Sequence, residues 1–324
     1  MSAVAPLMAL ETNQERQRPR SLVFLKLPLL VKDFIIKQLD PYEVFELSRL
    51  SKKMLNMVCF AKPCLNRLTW QISEDFCSIK LLNSEEVRFE IMVILHDISS
   101  SLQTTKLNGA TVYVDSESRP ECVNIIGMKY NGLERSHLFN VVSDYALKIF
   151  APKEFECIIS SITAAREFMR NDNVFAEVVV NDGQVLSIDD MDFLNELNTE
   201  YLILGQRPFA ADSNYVKPLK PKQVYFRNNP GTPRWLSLAS VLNMKTATCI
   251  TEHAGFTIED AKALVDEWCN GGLRQLEKLI MIENVNFQVM QGFIEEKQPQ
   301  FERDGKILRV MVRNTLISLK VSES

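Results

Sequence analysis

The chain has 324 residues, of which 46% are hydrophobic and 24% are charged. This balance is typical of a soluble globular protein with one large domain or two to three ordinary ones. The formal net charge of −4 provides no overall positive field, so we predict no nucleic-acid partner and no membrane partner. No run approaches the ~18 apolar residues of a membrane span, and the first residues lack the basic stretch of a signal peptide.

The seven cysteines are scattered along the chain and are never spaced as Cys-x-x-Cys. A disulfide framework or a zinc module would be more regular, so neither is expected. Most of them have apolar neighbours, as in Val58-Cys59-Phe60, where a free thiol behaves as a small hydrophobic side chain. Reduced thiols predict a cytoplasmic or nuclear protein, or one found in both places. We predict no cofactor and no metal.

Residues 1–20 are polar towards their end and have no periodicity, which predicts a disordered tail; a nuclear-import signal is the alternative. Residues 21–66 predict short helices. Pro28 suits the first turn of a helix, where its missing N–H has no partner to lose. Asp40-Pro41 with Glu43 forms an Asp-x-x-Glu capping pattern for the next helix, and Ser51 is a cap for the one after it.

The predicted helices carry many large apolar side chains, which are Leu29, Leu30, Val31, Phe34, Ile35, Ile36, Leu39, Val44, Phe45, Leu47, Leu50, Met54, Leu55, Met57 and Val58. A unit of about 40 residues has too much surface for its volume to bury all of them. The surplus is therefore expected to pack on the rest of this chain or on another protein.

Short motifs in this helical stretch resemble the F-box, and especially the nematode-type F-box proteins that carry an F-box-associated domain. The motifs are Leu25-Lys26-Leu27-Pro28, then Leu39-Asp40-Pro41, then Leu47-Ser48-Arg49-Leu50-Ser51-Lys52-Lys53. The resemblance implies a helical surface that lies against a Skp-type adaptor, which joins the protein to a cullin scaffold and a RING subunit. By position, the implied adaptor-binding residues are Leu25, Leu27, Pro28, Leu30, Phe34, Ile35, Leu39, Asp40 and Pro41.

The chain departs from the F-box pattern at two places. Leu29 stands where an acidic residue is usual, and only Met54 or Met57 stands for the usual aromatic late in the third helix. A three-helix element that packs only on its own chain remains the alternative.

Residues 70–135 form a β-rich segment, with runs such as Val87–Ile94 and Thr111–Val114, and turns at Asn108-Gly109 and Asn131-Gly132. A small antiparallel sheet is expected here.

From residue 136 to residue 320, helices and short strands alternate. Helices are predicted over 138–149 and 153–170, and Ser187 with Asp190 and Thr257 with Asp260 form caps of later helices. The strands that begin at residue 175 recur about every 22–32 residues, the range of leucine-rich-like repeats, although the asparagine ladder of true leucine-rich repeats is missing. We expect a repeat-like α/β domain with an extended face for a ligand, and a doubly wound α/β domain is the alternative. The predicted fold class is therefore mixed, α+β or α/β.

Part of this region is similar to the F-box-associated domain of the same families. The residues that carry the likeness are Trp235-Leu236-Ser237-Leu238, Thr257, Trp268, Gly271, Leu276-Glu277-Lys278-Leu279 and the turn Arg303-Asp304-Gly305-Lys306. The resemblance implies that residues 136–320 hold a target protein.

No pattern in the sequence predicts an enzyme. The three histidines are far apart, and the motifs of common hydrolases, nucleotide-binding loops and zinc proteases are missing. Asp189, Asp190 and Asp192 are interpreted as the acidic start of a helix, and Trp235 and Trp268 as core residues.

The expected function is that of a non-catalytic substrate-recognition subunit of a ubiquitin ligase built from a Skp-type adaptor, a cullin and an F-box protein. The alternatives are an adaptor-binding interaction protein that works without a cullin, and an enzyme whose residues only folding brings together.

Overall fold

The computed structural model describes residues 24–83, 87–96, 103–119, 122–128, 135–170, 173–181, 185–205, 215–227, 234, 236–283, 287–297, 301–313 and 316–323. The predicted tail at residues 1–20, the turn at Asn131-Gly132 and the predicted core residue Trp235 lie outside these ranges. The described residues form a mixed α/β structure, in which a group of helices is followed by a β-rich region and then by alternating strands and helices, as the sequence predicts.

A short 3-10 turn, Phe24–Lys26, precedes the helices. The helices are α1 (Leu29–Gln38), α2 (Pro41–Arg49), α3 (Lys52–Ala61), α4 (Arg135–Ile149), α5 (Ile162–Phe168), α6 (Ile188–Glu196), α7 (Leu238–Leu242), α8 (Ile258–Cys269) and α9 (Phe287–Lys297). The strands are β1 (Cys64–Ile72), β2 (Cys77–Leu82), β3 (Val87–His96), β4 (Gln103–Leu107), β5 (Ala110–Arg119), β6 (Cys122–Met128), β7 (Ala151–Ile159), β8 (Val174–Val180), β9 (Asn198–Leu204), β10 (Gln223–Arg227), β11 (Thr248–Glu252), β12 (Lys278–Ile282), β13 (Glu302–Arg303), β14 (Lys306–Arg313) and β15 (Leu316–Glu323).

The helix starts are set by the capping residues that the sequence predicts. Asp40 accepts a hydrogen bond from the backbone of Glu43, and the Glu43 side chain accepts one from the backbone of Asp40. Ser51 caps α3 in the same way by accepting from the backbone of Met54. Ser187 begins α6 and Thr257 begins α8, each within a capping box. These bonds satisfy backbone donors that the first turn of a helix leaves without a partner.

The strands within the described residues join into one sheet, in the order β13-β14-β15-β12-β11-β10-β9-β8-β7-β1-β2-β3-β6-β5-β4. Strands β7 to β12 lie side by side in chain order and are all parallel, and β1 pairs parallel with β7. A doubly wound sheet reverses its strand order at a switch point, and no such reversal occurs between β7 and β12. Successive right-handed crossovers in one direction place the connecting helices on one face.

Two details of the sequence-based prediction are wrong. Residues 151–159 form the central strand β7, although a helix was predicted over 153–170; only α5, capped by Ser161, is helical there. Parallel pairing with β1 on one side and β8 on the other overrides the local preference of this segment. The β-rich segment also does not form a separate small sheet, because β1 to β6 belong to the same sheet as the later strands.

The helices α1 to α3 with the preceding 3-10 turn, residues 24–61, are called the helical unit below. Phe45 of α2 attaches this unit to the rest of the molecule. Its ring is fully buried and lies 5.5 Å from the ring of Phe89 on β3 and 6.0 Å from that of Tyr145 on α4. Ser48, one turn later, shares a 2.7 Å hydrogen bond with the Tyr145 hydroxyl. The helical unit and the sheet therefore share one core.

Candidate functional site

The helical unit keeps a large part of its apolar surface exposed. On α1 the side chain of Leu30 is 80% exposed and that of Phe34 is 65% exposed, and Leu29 and Val31 beside them are also exposed. Ile36, on the inner side of the same helix, is buried. Leu29, Leu30, Val31 and Phe34 are called the α1 apolar surface below.

Of the six apolar side chains on α1, only Ile36 is buried and Ile35 is half-buried, whereas the other four are exposed. Scattered single apolar side chains are normal on protein surfaces, whereas several large ones grouped on one short helix mark a site of interaction. The surplus apolar surface predicted for this unit is therefore concentrated on α1, and Leu50 and Phe60 are further exposed side chains of the unit.

The structure divides the predicted adaptor-binding residues by exposure. Exposed among them are Leu25, Pro28, Leu30, Phe34 and Asp40. Leu27 and Ile35 are half-buried, and Leu39 is half-buried against the core. Pro41 is buried, so it offers no surface, and the Asp40 carboxylate is already used as the cap of α2.

Sequence reasoning did not include four exposed apolar side chains of this unit in the adaptor set. They are Leu29, Val31, Leu50 and Phe60. Leu29 and Val31 flank Leu30, so the adjacency of three apolar residues was a signal that pointed to them. Leu50 and Phe60 had no such signal, because their exposure depends on how α2 and α3 pack.

The face of the sheet opposite the connecting helices is only partly buried, and it is called the open face below. A row of apolar side chains crosses it in register from β7 to β12, and its members are Ile158, Val179, Ile203, Tyr225, Ile250 and Ile280. Each of them is half-buried, whereas the residues on either side of each along its strand include the fully buried positions of the core. The open face therefore presents a continuous apolar stripe.

A second row on the open face carries charge that changes sign along the sheet. At one end Glu156 on β7 lies opposite Glu177 on β8. At the other end Lys278, Lys320 and Arg309 lie opposite one another on β12, β15 and β14. Like charges directly opposite each other destabilise a sheet. None of these three cations forms an ion pair with another described residue, so this end of the row suits an acidic partner.

Glu156 is the most buried carboxyl of this row. Its Oε1 lies 2.9 Å from Nε of Arg67, and its Oε2 accepts a hydrogen bond from Thr69 at 3.4 Å. Burial nonetheless raises the pKa of Glu156, because desolvation outweighs the attraction of the Arg67 cation.

Two of the motif residues of the C-terminal part, Trp268 and Arg303, lie in contact with each other. The guanidinium of Arg303 lies 4.5 Å from the centre of the Trp268 ring, and Arg303 donates hydrogen bonds to the carbonyl oxygens of Trp268 and Gly272. Trp268 is buried, and Asp304 and Gly305 both have positive φ angles, which form the tight turn between β13 and β14. These residues therefore hold α8 against the hairpin formed by β13 and β14, so their role is structural.

The described residues contain no group of three or more His, Cys, Asp or Glu side chains that would hold a metal ion. The acidic run at the start of α6 is engaged in local contacts: Asp190 completes the Ser187 cap and pairs with Arg166, and Asp192 pairs with Lys217 at 2.6 Å. Burial raises the pKa of Cys157 well above its usual range and that of Cys249 to about 12, so these thiols stay protonated near neutral pH.

None of the helices within the described ranges combines the length and the apolar character that a membrane span requires. Comparison with known proteins finds no match to a family model, to a curated protein or to a solved structure.

Proposed function

We propose that this chain is a substrate-recognition subunit of a ubiquitin ligase, in which the helical unit binds a Skp-type adaptor and the open face of the sheet binds a target protein. In this proposal the chain has no catalytic residue of its own and works in the cytoplasm, in the nucleus, or in both. The observation that carries it is the α1 apolar surface, where Leu30 and Phe34 are exposed between the motifs Leu25-Lys26-Leu27-Pro28 and Leu39-Asp40-Pro41, which resemble an F-box.

A protein partner at α1 would remove a large apolar area from water. Transfer of one large aliphatic or aromatic side chain out of water contributes roughly 1.5–3 kcal/mol. Leu30 and Phe34 are separated by one helical turn, so both point to the same side of α1 and fit one groove. The resemblance of the neighbouring motifs to an F-box is the reason that we propose a Skp-type adaptor as the partner, and through it a cullin.

The target-binding part of the proposal rests on the open face. We propose that β7 to β12 with their helices are leucine-rich-repeat-like units, since these strands are parallel and lie side by side in chain order. Neighbouring strands lie about 4.8 Å apart, so the six strands from β7 to β12 that carry the apolar stripe span ~24 Å. A helix of about 16 residues has a similar length, which gives the size of target segment that the stripe can accept.

The mechanism in this proposal is positional. A ubiquitin-carrying enzyme bound to the RING subunit performs the chemistry, and the receptor raises the effective concentration of a target lysine near it. Such a role requires that the two binding surfaces keep a fixed relation to each other. The contacts of Phe45 with Phe89 and Tyr145 support this, because they join the helical unit to the sheet through a shared core.

Reconstitution from purified proteins tests the proposal. The full chain, a Skp-type adaptor and a cullin with its RING subunit are mixed and separated by size-exclusion chromatography. We expect one peak that contains all of them. A complex of chain and adaptor from which the cullin is excluded would support the alternative, a cullin-independent interaction protein, and no complex with the adaptor would contradict both.

A further inference from the structure

A cavity of about 780 Å³ lies where the helical unit meets the rest of the molecule. Its wall is formed by the end of α2, the start of α3, the hairpin between β4 and β5, and α4. This volume is within the range of ~300–1,000 Å³ that small-molecule sites occupy.

Basic side chains from four different elements line this cavity. They are Arg49 on α2, Lys52 on α3, Lys106 on β4 and Lys148 on α4. The described residues that form the wall include no carboxylate. Lys52, Lys106 and Lys148 are exposed, and among the described residues of the wall only Arg49 is paired with a carboxylate, that of Glu46. An anion that enters the cavity would therefore meet positive charge from several sides.

Arg49 is held in place rather than extended into solvent. Only 10% of its side chain is exposed, its guanidinium lies 5.4 Å from the centre of the Phe45 ring, and one of its terminal nitrogens pairs with Glu46. Its Nε is buried and has no hydrogen-bond partner among the described residues. An unused buried donor is costly in a folded protein, and arginine is a side chain suited to recognition of phosphate groups.

Neutral hydrogen-bonding groups complete the wall. The hydroxyls of Ser48 and Tyr145 lie 2.7 Å apart, and desolvation raises the pKa of Tyr145, so its hydroxyl keeps its proton at neutral pH. The first turn of α3, which follows Ser51, also borders the cavity, and the start of a helix favours negative charge.

We infer that this cavity binds a small soluble anion that carries two or more phosphate groups. Several cations that approach from different elements suit multiply charged phosphate oxygens better than a single carboxylate. The ligand would bridge the helical unit to α4 and to the β4–β5 hairpin, and so would stiffen the joint between the two surfaces described above. This inference goes beyond the proposed function and does not depend on it.

Isothermal titration calorimetry with tripolyphosphate as the probe tests the inference on the full chain at constant ionic strength. We expect saturable binding of one probe per chain, together with a higher thermal midpoint of unfolding. The double variant Lys106→Gln/Lys148→Gln should lose about tenfold or more in affinity, since each lysine contributes a charge-assisted hydrogen bond.

The control is Lys222→Gln/Lys245→Gln, which removes the same charge at two exposed positions outside the cavity wall. It should bind tripolyphosphate as the unmodified chain does. Equal losses in both double variants, or no saturable binding by the unmodified chain, would overturn the inference. A phosphoserine peptide is titrated in parallel, and tighter binding of that peptide than of tripolyphosphate would overturn the assignment to a small soluble ligand.

Discussion

Arg303 and Trp268 are 35 positions apart in the chain, yet the arginine stacks on the indole and donates hydrogen bonds to carbonyl oxygens at the end of α8 and in the turn after it. The planar guanidinium stacks on the ring and donates several hydrogen bonds at the same time, whereas a lysine ammonium has no planar face to stack. The same region shows why sequence motifs can mark stability rather than binding, since Trp268 is buried and does not reach the surface.

Replacement of Arg303 by lysine should lower the free energy of unfolding by about 1–3 kcal/mol, because the stacking on Trp268 and the two hydrogen bonds to the Gly272 carbonyl oxygen are lost. Urea denaturation followed by circular dichroism measures this. Arg313→Lys, at an exposed position of the same hairpin, serves as the control and should change little. Equal stabilities of the two variants would contradict the role given to Arg303.

Glu156 gives a prediction for pH. Its folded-state pKa is raised, so the folded chain binds a proton at this site more tightly than the unfolded chain does. The favourable contribution of the protonated carboxyl is present below the ordinary pKa of 4.5 and is lost as the pH rises through the raised value.

The variant Glu156→Gln should therefore gain stability relative to the unmodified chain as the pH is raised from 4.5 towards neutrality. Urea denaturation at a series of pH values gives the difference. Glu200→Gln, which removes an exposed carboxyl from β9 of the same sheet, is the matched control. A stability difference for Glu156→Gln that does not vary with pH would show that the carboxyl is ordinary in the folded chain.

At the scale of elements, the sequence predicts what is decided locally. The caps at Asp40, Ser51, Ser187 and Thr257 depend on residues three positions apart, and the structure confirms all of them. Strand β7 could not be predicted, because its conformation depends on pairing with β1, which lies more than 80 residues away in sequence at pairs such as Trp70 and Cys157.

The candidate site likewise has one feature that the sequence predicts and another that depends on tertiary packing. The apolar surplus of the helical unit follows from composition and chain length alone. Tertiary packing decides which of these side chains stay exposed. Phe45 and Val44 are buried in the shared core, whereas Leu30 and Phe34 on the preceding helix are exposed.

Phe45 lies where α2 contacts β3 and α4. The variant Phe45→Ala should lower the free energy of unfolding by about 3–5 kcal/mol, since it removes a fully buried ring and leaves a cavity beside Phe89 and Tyr145. Chemical denaturation measures the loss. Leu50→Ala, at a position that is 71% exposed at the end of the same helix, is the control and should be close to neutral. Similar effects of the two variants would mean that α2 is not anchored through Phe45.

At the scale of the whole molecule, one sheet extends from β4 to β13, and the helical unit packs against it at β3. A single sheet holds distant binding surfaces at a fixed separation better than two domains joined by a linker, because a linker allows a range of separations. The open face and the α1 apolar surface therefore belong to one body, which is what a receptor that positions its target needs.

The central claim is that the α1 apolar surface binds a Skp-type adaptor, and calorimetric titration of the purified adaptor into the full chain tests it directly. Leu30→Glu/Phe34→Glu should weaken binding by at least about a hundredfold, since truncation of one interface hot spot costs ~2 kcal/mol or more. Its unfolding should change little, because both side chains are exposed. Val174→Glu/Val216→Glu, which adds the same charge at exposed apolar positions elsewhere, should bind as the unmodified chain does. Undiminished adaptor binding by Leu30→Glu/Phe34→Glu, or no binding by the unmodified chain, would contradict the claim.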